Sequence, residues 1–160
     1  MKEKEFIEEI QNENFSIDSD PQQNWRIEMN FDEILKEPFY NFGWFYEKTI
    51  TFFGKENNIK VDFEAYPETE QINQTQKDSF LRFYENIADL SKAAENQLNN
   101  YITKYVEESY TIDKDVQLTE VLINSDGELI LLCEVAWDIE NGLGIKIFPE
   151  IEIGPQDTFL

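Results

Sequence analysis

Residues 76–108, QKDSFLRFYENIADLSKAAENQLNNYITKYVEE, decide how the rest of the chain is read. Phe80, Phe83, Tyr84, Ile87, Leu90, Ala94, Leu98, Tyr101, Ile102 and Tyr105 recur at steps of three and four, the spacing of one broad apolar face on a helix. A serine competes well for the free amides at a helix start, so Ser91 is the candidate cap if the block divides. One long helix and two helices in series both satisfy the pattern. Either would be wide enough to cover a sheet.

On both sides of this block the apolar period shortens to two. Trp25, Ile27, Met29 and Phe31 alternate with Arg26, Glu28 and Asn30, which predicts a half-buried strand. Trp44, Tyr46, Ile50 and Phe52 share one side of a second strand with Lys48, and Ile59, Val61, Phe63 and Ala65 alternate in a third. With GKENN as the turn between them, the last two form the clearest hairpin of the first half. After the helical block, residues 118–123 lead through Asn124-Ser125-Asp126-Gly127, a tight-turn sequence. Residues 128–137 follow, apolar on both sides apart from Glu134, as an inner strand would be. Leu143, Ile145 and Ile147 supply the next strand, and Asn141-Gly142 suits the positive φ angles of a type I′ hairpin.

The expected architecture is α+β: a largely antiparallel sheet of about six strands with one long helix or helix pair packed on it, plus a short N-terminal helix. A doubly wound parallel fold would alternate strand and helix throughout. The 160 residues fit a single domain, 1–160, with 1–24 as a peripheral helix and polar connection. Phe6, Ile7 and Ile10 would let that helix dock lightly.

Asp plus Glu number 34 against 13 Lys plus Arg, a formal charge of −21. Hydrophobic residues at 41% nevertheless place the chain outside the disordered class. Nucleic acids and anionic membrane surfaces are bound by neutralising phosphate with Lys and Arg, so this composition argues against both as partners. A basic protein is the partner it favours. From Asp115 to Asp157 the single basic residue is Lys146, which concentrates negative charge in the later strands. The segment MKEKEFIEEIQNENF carries charge where a signal peptide needs an apolar stretch, and no apolar run is long enough to span a bilayer. The expected location is cytoplasmic.

Histidine is absent, which removes Ser-His and Cys-His nucleophile pairs and the commonest transition-metal ligand. Cys133, the one cysteine, sits among Leu131, Leu132 and Val135 as a buried small hydrophobe. Gly142-Leu143-Gly144 lacks the further glycine and the strand-to-helix setting of a dinucleotide site. Neither a cofactor nor a metal is expected, and no residue is assigned a catalytic role. Carboxylates are plentiful enough for a two-acid hydrolase, with Asp138, Glu140 and Asp157 best placed near turns; that mechanism also needs a cleft and separated pKa values. The aromatic run 39–46, FYNFGWFY, is richer than one strand face requires, and Tyr40 and Trp44 are its candidate contact residues for protein or sugar. Trp137, Asp138, Glu140 and Asp157 complete the candidate set. Their first reading is structural: Trp137 caps the core, Asp138 bonds turn amides, Gly154-Pro155 stops the last strand, and Asp157 bonds back to exposed amides.

The run Trp137-Asp138-Ile139-Glu140-Asn141-Gly142-Leu143-Gly144-Ile145, with Gly154-Pro155-Gln156-Asp157 after it, resembles an uncharacterised bacterial domain family ending in W-D-x-E-x-G-x-G-I and G-x-Q-D text. The likeness extends loosely back through residues 44–65 and the helical block. It implies a compact α+β domain, and the occurrence of similar small domains near interbacterial toxins implies an immunity role. The functional expectation is thus a non-enzymatic acidic protein-binding domain that neutralises a basic toxin. The alternatives are a carboxylate-dependent hydrolase or carbohydrate-binding module, and self-association through an exposed sheet edge.

Overall fold

Alternating apolar residues on strands β2 (Gly43–Phe52) and β3 (Lys55–Glu64) pair antiparallel through the whole length of both. Tyr46, Ile50 and Phe52 face the same buried side as Ile59, Val61 and Phe63. The turn is shorter than GKENN. Phe52 pairs directly with Lys55, leaving Phe53 and Gly54 as a two-residue loop at φ 56° and 73°, the left-handed pair of a type I′ turn. Phe53 is held in that conformation by burial and by donation of its N–H to Ser91 Oγ at 2.8 Å. A computed structural model describes residues 30–67, 69–107 and 109–160. The expected N-terminal helix and connection, and residues 25–29 of the expected first strand, lie outside the described residues. Phe31 does not end a strand: it opens the short helix α1 (Phe31–Ile34), with its ring packed edge-on against Tyr46, Phe63 and Phe80.

Among the described residues the sheet has seven strands rather than six, in the order β1 to β7. Strand β1 (Phe39–Tyr40), a two-residue edge strand on β2, has no counterpart in the sequence expectation. Strands β4 (Val116–Ile123), β5 (Leu129–Val135), β6 (Leu143–Phe148) and β7 (Glu152–Gly154) form an antiparallel meander. The β3–β4 pairing is parallel, because the helical block lies between these strands and returns the chain to its starting end. Residues 129–133 of β5 are buried on both faces, as expected for an inner strand.

The helical block is two helices in series, α2 (Gln74–Glu85) and α3 (Ile87–Tyr105). The break falls at Asn86, not Ser91. Asn86 leaves helical geometry at φ −114° and ψ 23°, and its Nδ2 donates to Arg82 O at 2.8 Å, competing with the backbone ladder. A last single-turn helix, α4 (Ile112–Asp115), feeds β4. The core lies between the helices and one sheet face, along rows such as Tyr46, Val61, Val121, Leu131, Ile145 and Ile153.

Gln76 secures the parallel pairing at one end. Its Nε2 donates to Glu64 O at 3.0 Å and Ile123 O at 3.1 Å, the carbonyls at the ends of β3 and β4, and its Oε1 accepts from Asn73 N at 3.0 Å. Asn73 Oδ1 accepts from Gln76 N at 2.7 Å, completing a capping box on α2. At the other end Gln117 Nε2 donates to Asn57 Oδ1 at 3.0 Å, and Asn57 Nδ2 donates to Phe52 O at 3.1 Å. Gln76 is buried, so its loss strands two carbonyls and an amide away from water. Gln76→Ala is expected to lower the unfolding free energy in urea by about 2–4 kcal/mol. Exposed Gln74→Ala should change it by less than about 0.5 kcal/mol; equal effects of the two would refute this role for Gln76.

Candidate functional site

The sheet face away from the helices carries a continuous row across every strand: Phe39, Phe45, Asp62, Leu122, Ile130, Lys146 and Glu152 are consecutive register partners. A second row runs Glu47, Lys60, Glu120, Leu132, Gly144 and Gly154. Toward β7 this face is closed. Leu122, Ile130 and Leu132 form a small second core under Phe159, whose ring folds back from the C-terminal 3₁₀ turn (Gln156–Thr158). Lys146 is held between Glu128 and Glu152 at 3.7 and 3.3 Å.

Toward β1 the face opens into aromatics. Phe39 and Phe45 stack at 5.4 Å, and Phe42 stacks on Tyr66 at 5.8 Å. Phe42 is 74% exposed and Tyr66 69%, and Phe42 takes a left-handed φ of 58° in the β1–β2 turn. A bulky, exposed residue in that conformation has neither burial nor backbone preference to explain it.

Beside Phe45, across the parallel seam, stands a pair of carboxyls. Burial pushes Asp62 up to about 7, and Glu120 adds to the rise through its charge and a side-chain hydrogen bond. Burial also raises Glu120, opposed by the hydrogen bond from Asp62 and by the charge of Lys60, its register partner. Asp62 therefore holds the shared proton and donates it to the Glu120 carboxylate. Its Oδ1 is buried without a hydrogen-bond partner among the described residues, and a Cβ at Gly43 would come within 2.6 Å of that atom.

The six residues singled out from sequence do not form one site. Tyr40 and Trp44 face the helix side, where Tyr40 Oη donates to Ala65 O at 2.8 Å and Trp44 Nε1 to Glu70 O at 3.0 Å. Their rings meet edge-on at 5.2 Å, and Trp44 lines a concavity of 370 Å³ with Phe31, Asp32, Tyr46 and Lys77. The exposed members of the aromatic run are instead Phe39 and Phe42. Trp137, Asp138 and Glu140 lie at the opposite end of the sheet, in the connection 136–142. Trp137 packs on Tyr110 at 5.6 Å, and Asp138 Oδ1 accepts from Asn141 N at 3.2 Å and Nδ2 at 3.1 Å. That connection is longer than the expected type I′ hairpin, and only Gly142 in it has a positive φ, 65°. Glu140 and Asp157 are exposed. The bond back to the sheet at the carboxyl end comes from Gln156, whose Nε2 donates to Cys133 O at 3.1 Å, and not from Asp157. The Cys133 thiol is pushed up to about 12 by burial.

The glycines of the C-terminal pattern have a steric reason. A Cβ on Gly142 would meet Gln156 Nε2 at 2.5 Å and one on Gly144 would meet the Phe159 ring at 2.5 Å. The family model described as a domain of unknown function, DUF6985, matches residues 30–160. The chain belongs to this family. No curated protein and no solved structure matches it. The family match spans both glycines and the C-terminal turn that packs on them. Among the described residues no helix is long and apolar enough to cross a membrane, and no three His, Cys, Asp or Glu stand together as a metal-ligand set.

Sequence reading missed Asp62 and Glu120 because they become neighbours only through the parallel seam. The folded state holds the Asp62 proton more tightly than the unfolded chain, where Asp releases it near its ordinary value of 3.8. Stability should therefore fall as pH rises from 3.8 to about 7 and level off above. Asp62→Asn keeps the donor without the charge, and is expected to be more stable than the parent above that range by about 1–2 kcal/mol after solvent screening. Denaturation at pH 4 and pH 8 checks this; the same difference at both values would refute the shared proton. Gly144→Ala should cost about 1–3 kcal/mol by displacing Phe159. In the Phe159→Ala background the cost should shrink, and full additivity in urea unfolding would show that the ring does not set the requirement.

Proposed function

We propose that this chain is a non-enzymatic, acidic protein-binding domain whose partner is a basic protein, and that its most concrete role is that of an immunity protein covering a toxin's cationic site. The observation that carries this reading is the pairing of exposed, stacked aromatics with carboxylates at one end of the sheet. Phe39, Phe42 and Tyr66 supply large contact area with few rotors, the character of anchor residues in protein interfaces. Glu47, Glu64 and Glu120 lie on the same outer face of β2, β3 and β4, with Lys60 between Glu47 and Glu120 in the register. A formal charge of −21 steers cationic partners toward such a surface and repels polyanions. The chemistry suits the cytoplasm, where a basic toxin would be met before it acts.

The shared proton of Asp62 and Glu120 favours a second reading, a carboxylate-dependent hydrolase, because separated pKa values are what such a pair needs. Two carboxyls bonded directly to each other leave no space for a sugar or a water between them; glycosidase pairs stand about 5 Å apart or more. Among the described residues the concavity at Trp44 brings aromatics to a single acid, Asp32. These points favour the binding reading.

Affinity capture from cells that naturally carry the gene tests it, at 50 mM and 500 mM salt, about half and about five times the ionic strength at which charges are screened over ~10 Å. A basic protein retained at low salt and released at high salt is expected. Phe42→Gly suits the left-handed φ, so it should leave stability within about 1 kcal/mol of the parent while weakening capture about tenfold. Salt-insensitive capture, or Phe42→Gly binding as the parent does, would overturn this reading.

A further inference from the structure

The edge of β2 beyond β1 has no partner strand among the described residues. Edge strand β1 ends after two pairs, at Phe39↔Phe45 and Tyr40↔Trp44. Before it, Pro38 lacks an N–H and Glu37 turns off the edge at a left-handed φ of 60°. In a two-residue type I′ hairpin the flanking residues exchange both hydrogen bonds, so Phe52, and with it Ile50, Lys48 and Tyr46, directs its N–H and C=O to β3. The N–H and C=O groups of Glu47, Thr49 and Thr51 consequently point outward along the edge, and all three residues are exposed. Long edges of this kind are usually blunted by a bulge, a proline or an inward charge; residues 47–51 carry neither a bulge nor a proline, and their one inward-side charge, Lys48, lies back over the Tyr84 ring at 5.7 Å.

We propose that this edge receives an extended segment of a basic protein as an eighth strand, with Lys or Arg at the segment's positions on the outer face. Main-chain hydrogen bonds to Glu47, Thr49 and Thr51 would supply affinity, and alternate side chains would supply selectivity. Charge selects the occupant. A second copy would bring −21 against −21, whereas outer-face Lys or Arg would meet Glu47 and Glu56, the register partner of Thr51. Phe39 and Phe42 stand at the end of the same edge and would hold a bulky residue of the segment. The inference rests on the basic-partner reading above and specifies its geometry.

The test uses the full chain with an eight-residue peptide alternating Lys and Val, a Glu-Val counterpart, and a Lys-Val version N-methylated at alternate residues. The amide exchange of Glu47, Thr49 and Thr51 is followed by NMR. These amides should exchange rapidly in the free chain and become protected when Lys-Val binds. N-methylation and Thr49→Pro, which removes one outward N–H at a position where an edge tolerates proline, should each weaken binding about tenfold. The N-methylated peptide decides the matter even if Thr49→Pro fails to fold. Amides already protected in the free chain, equal binding of the N-methylated peptide, or equal binding of Glu-Val would overturn the proposal. Lys-Val binding without protection at these amides would sink strand addition and leave the basic-partner reading standing; failure of Lys-Val to bind at low salt would sink both.

Discussion

The parallel seam between β3 and β4 is the constraint on which the rest of the structure depends. Strands separated by the whole helical block have no hairpin to set their register, so side chains must do it. Gln76 does so at one end by donating to the last carbonyls of both strands while closing the cap of α2. Asn57 and Gln117 do so at the other. A buried amide satisfies several backbone groups in fixed directions, which apolar packing alone does not, and so a slip of one residue would leave it unpaired.

From that seam follow both halves of the outer face. It sets Asp62 beside Leu122 and Lys60 beside Glu120, placing two carboxyls close enough to share a proton. It also divides the face. On the β7 side Phe159 and the C-terminal turn seal a small apolar cluster, and the glycines at 142 and 144 are the clearance they need. On the β1 side nothing comparable covers Phe39, Phe42 and Tyr66 among the described residues. The part of the sequence that looked most like a motif is therefore packing, and the surface with the character of an interface lies at the opposite end of the sheet.

Much of this fold is legible without coordinates. The two-residue period of 44–52 and 59–65 gave a hairpin with the correct inward faces, because a half-buried strand leaves its pattern directly in the chain. The uninterrupted apolar run of 129–133 marked an inner strand for the same reason. Turn lengths were less legible: Phe53 occupies a left-handed position that Gly or Asn would ordinarily signal, since burial and Ser91 hold it there. In the aromatic run the exposed aromatics are Phe39 and Phe42 rather than Tyr40 and Trp44. Alternation already sets Trp44 beside Tyr46 on the inward face, whereas a two-residue strand and a turn residue have no period from which to place Tyr40, Phe39 or Phe42.

By itself the sequence determined the class of fold, the inward faces of its strands, the large negative charge and the absence of imidazole chemistry, all of which are local or additive properties of the residues. Only the tertiary structure decided that β3 and β4 run parallel, that Asp62 meets Glu120, that the C-terminal pattern is a steric fit around Phe159, and that β2 has no partner strand beyond β1 among the described residues. Each of these joins residues far apart in the chain, and no periodicity within a segment encodes which distant segment it will meet.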